Sequence, residues 1–227
     1  MKEWDKIAES FDATRKHAWE ECINFMEESN IAIDIGCGNA RHLIPMAEKC
    51  KIAVGIDMSF NMLKISKEKI AKKGLKNVLL VCCNASYLPF KDETFDYALF
   101  IATLHNIEGR KNRIKALEEL KRILKKDGKA LISVWARWQD RWRMHFLKEI
   151  FKFKREFGDI YVPWRKNGLN VKRFYHLYSM AELKKDIKKA GLKIEKAWSV
   201  KKASKKYSDN HFTIVKNNSK LFKLLHI

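Results

Sequence analysis

The sequence predicts an α/β fold, a seven-stranded and mostly parallel sheet with helices on both faces and a basic insertion after the fifth strand. Three observations lead there. Short apolar runs alternate with amphipathic segments between Ile31 and Val134. A glycine-bearing turn, Asp34-Ile35-Gly36-Cys37-Gly38-Asn39-Ala40, joins the first run to the first amphipathic segment. The alternation stops at Arg137, where tryptophan and arginine become frequent.

Taken in order, Ile31 to Ile35 reads as a strand, Ala40 to Lys49 as a helix, and Ile52 to Ile56 as a second strand. A helix follows over Ser59 to Lys72, then strands over Val78 to Cys82 and Phe95 to Ala102. Asn112 to Lys125 predicts a helix, with Ile114, Leu117, Leu120, Ile123 and Leu124 on one side. Asp127-Gly128 then turns the chain into a fifth strand, Lys129 to Trp135. Residues 137–177, with Pro163 and Gly168, read as a partly helical insertion. A helix over Ser179 to Ala190 ends at Gly191. Leu192 to Trp198 and His211 to Val215 are the sixth and seventh strands, joined by a polar link, Lys201 to Asp209. Residues 217–227 read either as a frayed tail or as a short docked apolar helix. The whole chain, 1–227, is expected to form one domain.

Composition narrows the class. Hydrophobic residues make up 46% and charged residues 33%, which suits a soluble domain with a real core. No apolar run is long enough to span a bilayer and the first residues show no secretion signal, so a cytoplasmic protein is expected. Five cysteines in no metal-binding spacing argue against a disulfide framework or a zinc site. The net charge of +20 is uneven. Residues 137–227 hold 24 Lys and Arg against 8 Asp and Glu, whereas the first 136 residues carry a net charge of only +4. A lysine bias accounts for the total better than for the asymmetry, and a basic half suits a polyanionic partner.

Glycines at 36 and 38 let the backbone turn tightly and lie against a ligand. A carboxylate at Asp57, followed by Met58, comes directly after the second strand and 19 residues beyond Gly38. That spacing suits a carboxylate gripping two ribose hydroxyls. A dinucleotide site wants a third glycine where this chain has Arg41, so a dehydrogenase is disfavoured. The pattern resembles motif I of the class I methyltransferases, which implies a Rossmann-like fold and S-adenosyl-L-methionine as cofactor. In that family Asp34 would lie near the amino-acid part of the cofactor. Asn84-Ala85 stands where the family has Asp-Ala beside the adenine, and Ala102 opens its catalytic-face loop, Ala102 to Asn106. Ala40 replaces the family's third glycine.

A closer resemblance covers most of the chain. Phe11-Asp12-Ala13-Thr14-Arg15, Trp19, the loop through Cys37 and Asn39, Leu88-Pro89-Phe90 and Phe95-Asp96 carry part of it. Thr14-Arg15, Trp135-Ala136, Val162-Pro163-Trp164 and Arg173-Phe174-Tyr175-His176-Leu177 carry the more specific part. Together they resemble the tRNA wobble-uridine methyltransferases that esterify a 5-carboxymethyl side chain, with His105-Asn106 where that group shows His-His. The resemblance implies tRNA as substrate and a small zinc-binding activator protein as partner.

The chemistry agrees with an arginine-rich site. A carboxylate nucleophile is ionised at neutral pH and needs positioning rather than a base. Arginine grips a carboxylate with its planar fork. Six of the 11 arginines lie between Arg137 and Arg173, among Trp135, Trp138, Trp142 and Trp164. Arg15 and Arg173 are therefore candidate carboxylate or phosphate ligands. Tyr175 and His176 are candidates for hydrogen bonds to the base or ester, and Trp135 for a pocket wall. Each has an ordinary alternative, since tryptophan and a Tyr-His pair are more often packing. His105 reads equally as a structural residue and as a substrate contact. No metal ligand set is expected. The sequence leaves open a methyltransferase for a small molecule and a non-catalytic RNA-binding subunit with a degenerate cofactor pocket.

Overall fold

The computed structural model describes residues 2–150 and 156–218. Helices α1 (Lys2–Asp12) and α2 (Glu20–Phe25) precede β1 (Ser29–Ile35), α3 (Leu43–Ala47), β2 (Cys50–Asp57), α4 (Phe60–Lys72) and β3 (Val78–Cys82). Strand β4 (Phe95–Ile101), a 3₁₀ turn (Leu104–Asn106), α5 (Arg110–Ile123) and β5 (Leu124–Trp135) follow. The remainder is α6 (Arg143–Glu149), β6 (Asp159–Trp164), β7 (Val171–His176), α7 (Met180–Lys189), β8 (Lys193–Val200) and β9 (Asn210–Lys216).

Seven strands form one sheet in the order β3-β2-β1-β4-β5-β9-β8. The pairs from β3 to β5 are parallel, and β9 runs antiparallel to both β5 and β8. The strand period of two sorts side chains between two faces. Ile33, Ile35, Val54 and Ile56 pack with Leu117 and Leu120 of α5 and Leu183 and Ile187 of α7. Ala32, Ala53, Tyr97 and Leu99 pack with Leu43 and Met46 of α3 and Leu63 of α4. Burial on both faces explains why these strands read as continuous apolar runs. Ser59 and Ser179 start α4 and α7 by accepting from the amides of Met62 and Glu182, and so set where those helices begin.

Four local expectations shift. The helix predicted over Ala40 to Lys49 shrinks to α3, because Ala40 takes a left-handed φ of 62° and residues 36–42 stay in turns. Here alanine occupies the backbone conformation that the family's glycine would take without strain. The helix predicted to reach Lys125 stops at Ile123, and β5 begins five residues earlier than read, with Asp127 bent out at φ 65°. Residues 137–177 carry α6 but also a two-stranded antiparallel hairpin, β6 and β7. Its turn is Asn167–Gly168, at φ 51° and 73°, the mirror-type hairpin turn that Asn-Gly favours. At the other end Asn217 is buried, and its Nδ2 donates to the Leu124 carbonyl at 2.8 Å. The alternatives for the tail beyond Asn218 lie outside the described residues. Among the described residues no helix is long and apolar enough to cross a membrane.

Asp96 ties the starts of three strands. Its Oδ2 accepts from the amides of Asn30 and Ile31 at 3.0 and 2.8 Å, and its Oδ1 accepts from Lys125 Nζ at 2.6 Å. Partial burial pushes its pKa up, but the Lys125 bond and the two amides outweigh that and hold it below the ordinary value. A depressed carboxyl pKa adds stability above the unfolded value that is lost as pH falls through the folded one. Asp96→Ala is expected to lower unfolding free energy by about 1–3 kcal/mol at neutral pH. In urea titrations the gap from wild type should close below about pH 4.

Candidate active site

Gly36, Cys37 and Gly38 leave the end of β1 with all three amides turned toward β2. The Ile56 carbonyl accepts from Gly36 N and Cys37 N, both at 2.8 Å. Asp57 Oδ2 accepts from Gly38 N at 2.9 Å, while Oδ1 accepts from Ser59 N at 2.8 Å. Gly36 holds a φ of 75°, and a Cβ added there would overlap the Thr103 side chain. The loop after β1 and the loop after β4 are thus pressed together where the strand order reverses, the ordinary ligand crevice of a wound sheet.

From Thr103 a closed circuit of contacts runs back to Gly38. His105, two residues on, is buried, and its Nδ1 accepts from Trp135 N at 2.9 Å. Its ring stacks on Tyr175 at 5.2 Å, and Tyr175 stacks on Trp135 at 4.6 Å. Tyr175 OH accepts from Arg173 Nη1 at 2.6 Å. The Arg173 guanidinium lies over Trp164, Tyr175 and Trp4 at 4.8, 5.1 and 5.3 Å. Trp4 meets Phe11, whose ring edge lies 4.0 Å from where a Gly38 Cβ would stand. Helix α1 closes this circuit. Asp12 accepts from Asn39 Nδ2 at 2.6 Å and pairs with Lys69, Asp5 accepts from Ser59 Oγ at 2.7 Å, and Ser10 Oγ accepts from Trp164 Nε1 at 2.9 Å.

Arg173 is 5% exposed, and its Nε has no partner among the described residues. Burial lowers its pKa, as do the nearby charges of Arg15 and Arg141; an arginine nonetheless stays charged. No carboxylate among the described residues pairs with any of these three arginines. Caged by aromatic faces, with no anion paired to it among the described residues and the charges of Arg15 and Arg141 bearing on it, Arg173 is a candidate anion ligand. Arg15 comes from the loop after α1, where its guanidinium lies 5.8 Å from the Phe11 ring.

The remaining candidates separate into two groups. Asp57, Met58, Asn84, Ala85 and Ala102 all stand at the ends of β2, β3 and β4, on the side of the glycine loop. Asn84 Oδ1 accepts from Ser86 N at 2.9 Å and so shapes its own turn. Ala102 takes a φ of 51°. Asn39 faces α1 rather than the crevice, since its Nδ2 also donates to the Arg15 carbonyl at 2.7 Å. His176 is not brought to Arg173. Strand alternation sends it to the opposite side of β7, where Nδ1 meets Asp159 at 2.6 Å and Nε2 meets Glu182 at 2.9 Å. Arg137 pairs with that Glu182 and Arg113 with Glu156, so His176 belongs to an ionic brace under the hairpin. Glu156, Asp159 and His176 lie close enough to hold an ion, but Arg113 already pairs with Glu156 and His176 with Asp159. Trp4, Ser10, Thr103 and Arg141 were not singled out from sequence. No signal in the sequence marked Trp4 or Ser10, and Arg141 was visible only as one of the clustered arginines.

The crevice suits S-adenosyl-L-methionine, the cofactor that the resemblance implies. A dinucleotide needs free loop amides for its pyrophosphate. Here those amides are taken, and the sulfonium cofactor has no phosphate to offer them. Its amino acid carries an ammonium, and Asp34, 1% exposed with Oδ2 unpartnered, is the carboxylate to meet it. Burial raises the Asp34 pKa to about 7, against the opposing charge of Arg41. The shift has a signed consequence. In the free protein, stability falls as pH rises from the unfolded carboxyl value toward 7, and a bound cation removes that loss. Cofactor affinity, read by calorimetry with the demethylated product, is expected to rise as pH passes through about 7 and then level off. Asp34→Asn should weaken binding and flatten that dependence. A flat profile in the wild-type protein would place the ammonium elsewhere.

Residues 33–132 match the model of the methyltransferase domain. A protein of Encephalitozoon cuniculi, whose name gives it as a methyltransferase of no stated substrate, is 30% identical over 200 residues, covering 84% of this chain and 85% of that one. The tRNA (carboxymethyluridine(34)-5-O)-methyltransferase of Schizosaccharomyces pombe is 27% identical over 211 residues, 83% of this chain and 86% of that one. The enzyme of the same name from Xenopus tropicalis is 35% identical over 153 residues, 65% of this chain, and this chain spans only 23% of its length. Among solved structures, an S-adenosylmethionine-dependent methyltransferase of Methanosarcina mazei superposes with a TM-score of 0.76 at 20% identity, covering 90% of this chain and all of that one. A Haloferax volcanii methyltransferase, solved in complex with the Trm112 activator, gives 0.66 at 16% identity, covering 95% and 98%. The chain therefore belongs to the class I S-adenosylmethionine-dependent methyltransferases.

Proposed function

We propose that the chain methylates tRNA at the wobble position, esterifying the carboxylate of 5-carboxymethyluridine to 5-methoxycarbonylmethyluridine. The observation that carries this reading is the caged Arg173 with its unpartnered Nε, across the circuit from the glycine loop and near enough to Arg15 and Arg141 to feel their charges. The names of the yeast and frog relatives supply the substrate class.

Bound S-adenosyl-L-methionine supplies an electrophilic methyl group on sulfur. One carboxylate oxygen forms the new O–C bond while the C–S bond breaks and its electron pair stays on sulfur. A carboxylate of ordinary pKa is already ionised, so no base has to remove a proton. His105 fits that requirement. Burial, with the charges of His176 and Arg173, lowers its pKa to about 3, and its Nδ1 is occupied by the Trp135 amide. It is a neutral ring that fixes Trp135 and Tyr175, with its other nitrogen left as a donor. Arg173 would take the carboxylate through its fork, and the aromatic cage strips water from both charges, which strengthens their attraction. The guanidinium must hold without over-stabilising, because the ester product is neutral. Arg15 and Arg141 would receive the neighbouring phosphate or the second carboxylate oxygen. Trp135, partly exposed, offers a wall for an unstacked anticodon base.

Residues 137–177 would then be the substrate-binding segment, joined to the catalytic domain by the ionic brace around His176. The activator partner would cover β3, the edge strand of the sheet, where Leu79 and the nearby Phe60 and Tyr87 are exposed. On this reading the protein would act on tRNA in the cytoplasm.

Incubating the protein with its cofactor, a candidate activator and hypomodified tRNA, followed by nucleoside mass spectrometry, is expected to show one added methyl on the wobble nucleoside. Its absence in the presence of a verified activator contradicts the proposal. Arg173→Lys should cut turnover by about 10–100-fold with cofactor affinity unchanged, because an ammonium cannot reproduce the bidentate fork. Equal loss of both would make Arg173 a structural residue.

A further inference from the structure

The segment Lys201-Lys202-Ala203-Ser204-Lys205-Lys206-Tyr207 carries four lysines in seven residues, a composition that ordinarily gives a self-repelling, mobile link. In the fold it is bolted down by two aspartates. Asp209 accepts from the amides of Lys202, Ala203 and Ser204 at 2.8, 2.6 and 2.6 Å. Asp140 accepts from the amides of Lys205, Lys206 and Tyr207 at 2.8, 2.9 and 2.8 Å. The Arg143 guanidinium lies 4.1 Å over the Tyr207 ring and locks the loop to the start of α6.

Six consecutive amides are thus fixed, yet the lysine side chains remain exposed. Lys202 pairs with Glu21. Among the described residues, Lys201, Lys205 and Lys206 have no carboxylate within ion-pair distance. The two aspartates and Glu21 offset part of the repulsion, and the exposed heads of Lys205 and Lys206 leave a surplus of fixed positive charge that suits a polyanion. The loop also leads somewhere. Arg141 follows the anchoring Asp140 and is close enough to Arg173 and Tyr175 to affect the ionisation of both. Positive charge thus lies both on the braced loop and, through Arg141 beside its anchoring Asp140, toward the caged arginine.

We propose that the loop 201–208, braced by Asp140 and Asp209, is a dock for the phosphate backbone of an RNA, and that it sets the distance from that backbone to the nucleotide entering the arginine site. This rests on the reading of the chain as a tRNA methyltransferase and adds the surface on which the tRNA lies. A phosphate contact adds salt-dependent affinity and register without reading sequence.

The test measures tRNA transcript affinity across a salt series for wild type, K205E/K206E and D140A, alongside cofactor calorimetry and the wobble-nucleoside assay. K205E/K206E is expected to weaken tRNA binding by about 100-fold and to reduce the slope of log K against log salt by about two, one for each lost phosphate contact. Its cofactor affinity should match wild type. D140A keeps every lysine, so it should keep the slope while losing up to about tenfold in affinity through the loosened loop. An unchanged slope and affinity in K205E/K206E overturns the dock, as does binding of polyglutamate as tight as that of tRNA. If wild type forms the methyl ester and K205E/K206E does so with the same KM, the dock falls and the proposed reaction stands. If wild type shows the salt-sensitive binding, the variant loses it, and neither forms ester, the dock stands and the reaction falls.

Discussion

Three successive amides, those of Gly36, Cys37 and Gly38, are taken by the end of β2, and the shape of the site depends on it. The Ile56 carbonyl and the Asp57 carboxylate pull the chain back across the sheet as soon as β1 ends. That forces the left-handed backbone at Gly36 and brings Thr103 against it, where no side chain larger than hydrogen fits. It also delays the start of α3, so no helix terminus points amides into the crevice. The result is a cradle whose first three amides are already paired, with a buried carboxyl, Asp34, among its residues. A sulfonium nucleoside with an ammonium group matches that inventory, and a dinucleotide does not.

The second constraint is α1. It touches the cofactor side through Asp5 and Asp12 and the substrate side through Trp4 and Ser10. One short helix thereby sets the spacing between the two halves of the site. In an in-line displacement that spacing matters more than any proton transfer, because attack is productive only over a narrow range of distance and angle. The ionic brace of Arg113, Glu156, Asp159, His176, Glu182 and Arg137 plays the matching part beneath the hairpin. It fixes β7 from below while Arg173 and Tyr175 face the aromatic circuit above, so alternation along one strand divides the brace from the candidate site.

Much of the fold was legible because its signals are local. Apolar runs buried on both faces, serine caps at 59 and 179, and the glycine loop each act within a few residues. The sheet's seven strands were read correctly, including the two that β9 joins antiparallel. The hairpin of β6 and β7 was hidden, although Asn167-Gly168 between two alternating runs announces it; the density of arginine and tryptophan masked the period of two. The site was half legible. Glycine and acidic positions have fixed offsets from strands, so they can be counted. Arg173 and Tyr175 could be proposed through chemistry and resemblance, but the place of His176 turned on Asp159, at the start of β6, and on Glu182 in α7. Long-range partners of this kind leave no trace in spacing. The lysines of 201–206 show the same limit. As sequence they look like a solvated link, and it takes the distant Asp140 together with Asp209 to turn them into a fixed surface.

The most direct measurement is a structure of the protein with the demethylated cofactor and an anticodon stem-loop carrying 5-carboxymethyluridine. The expected result has the nucleoside cofactor against Gly36 and Gly38 with Asp34 on its ammonium, and the uridine carboxylate on Arg173, pointing at the sulfur across the circuit. A carboxylate seated away from Arg173, or a cofactor on the other side of α1, would contradict the idea that one continuous site joins the two.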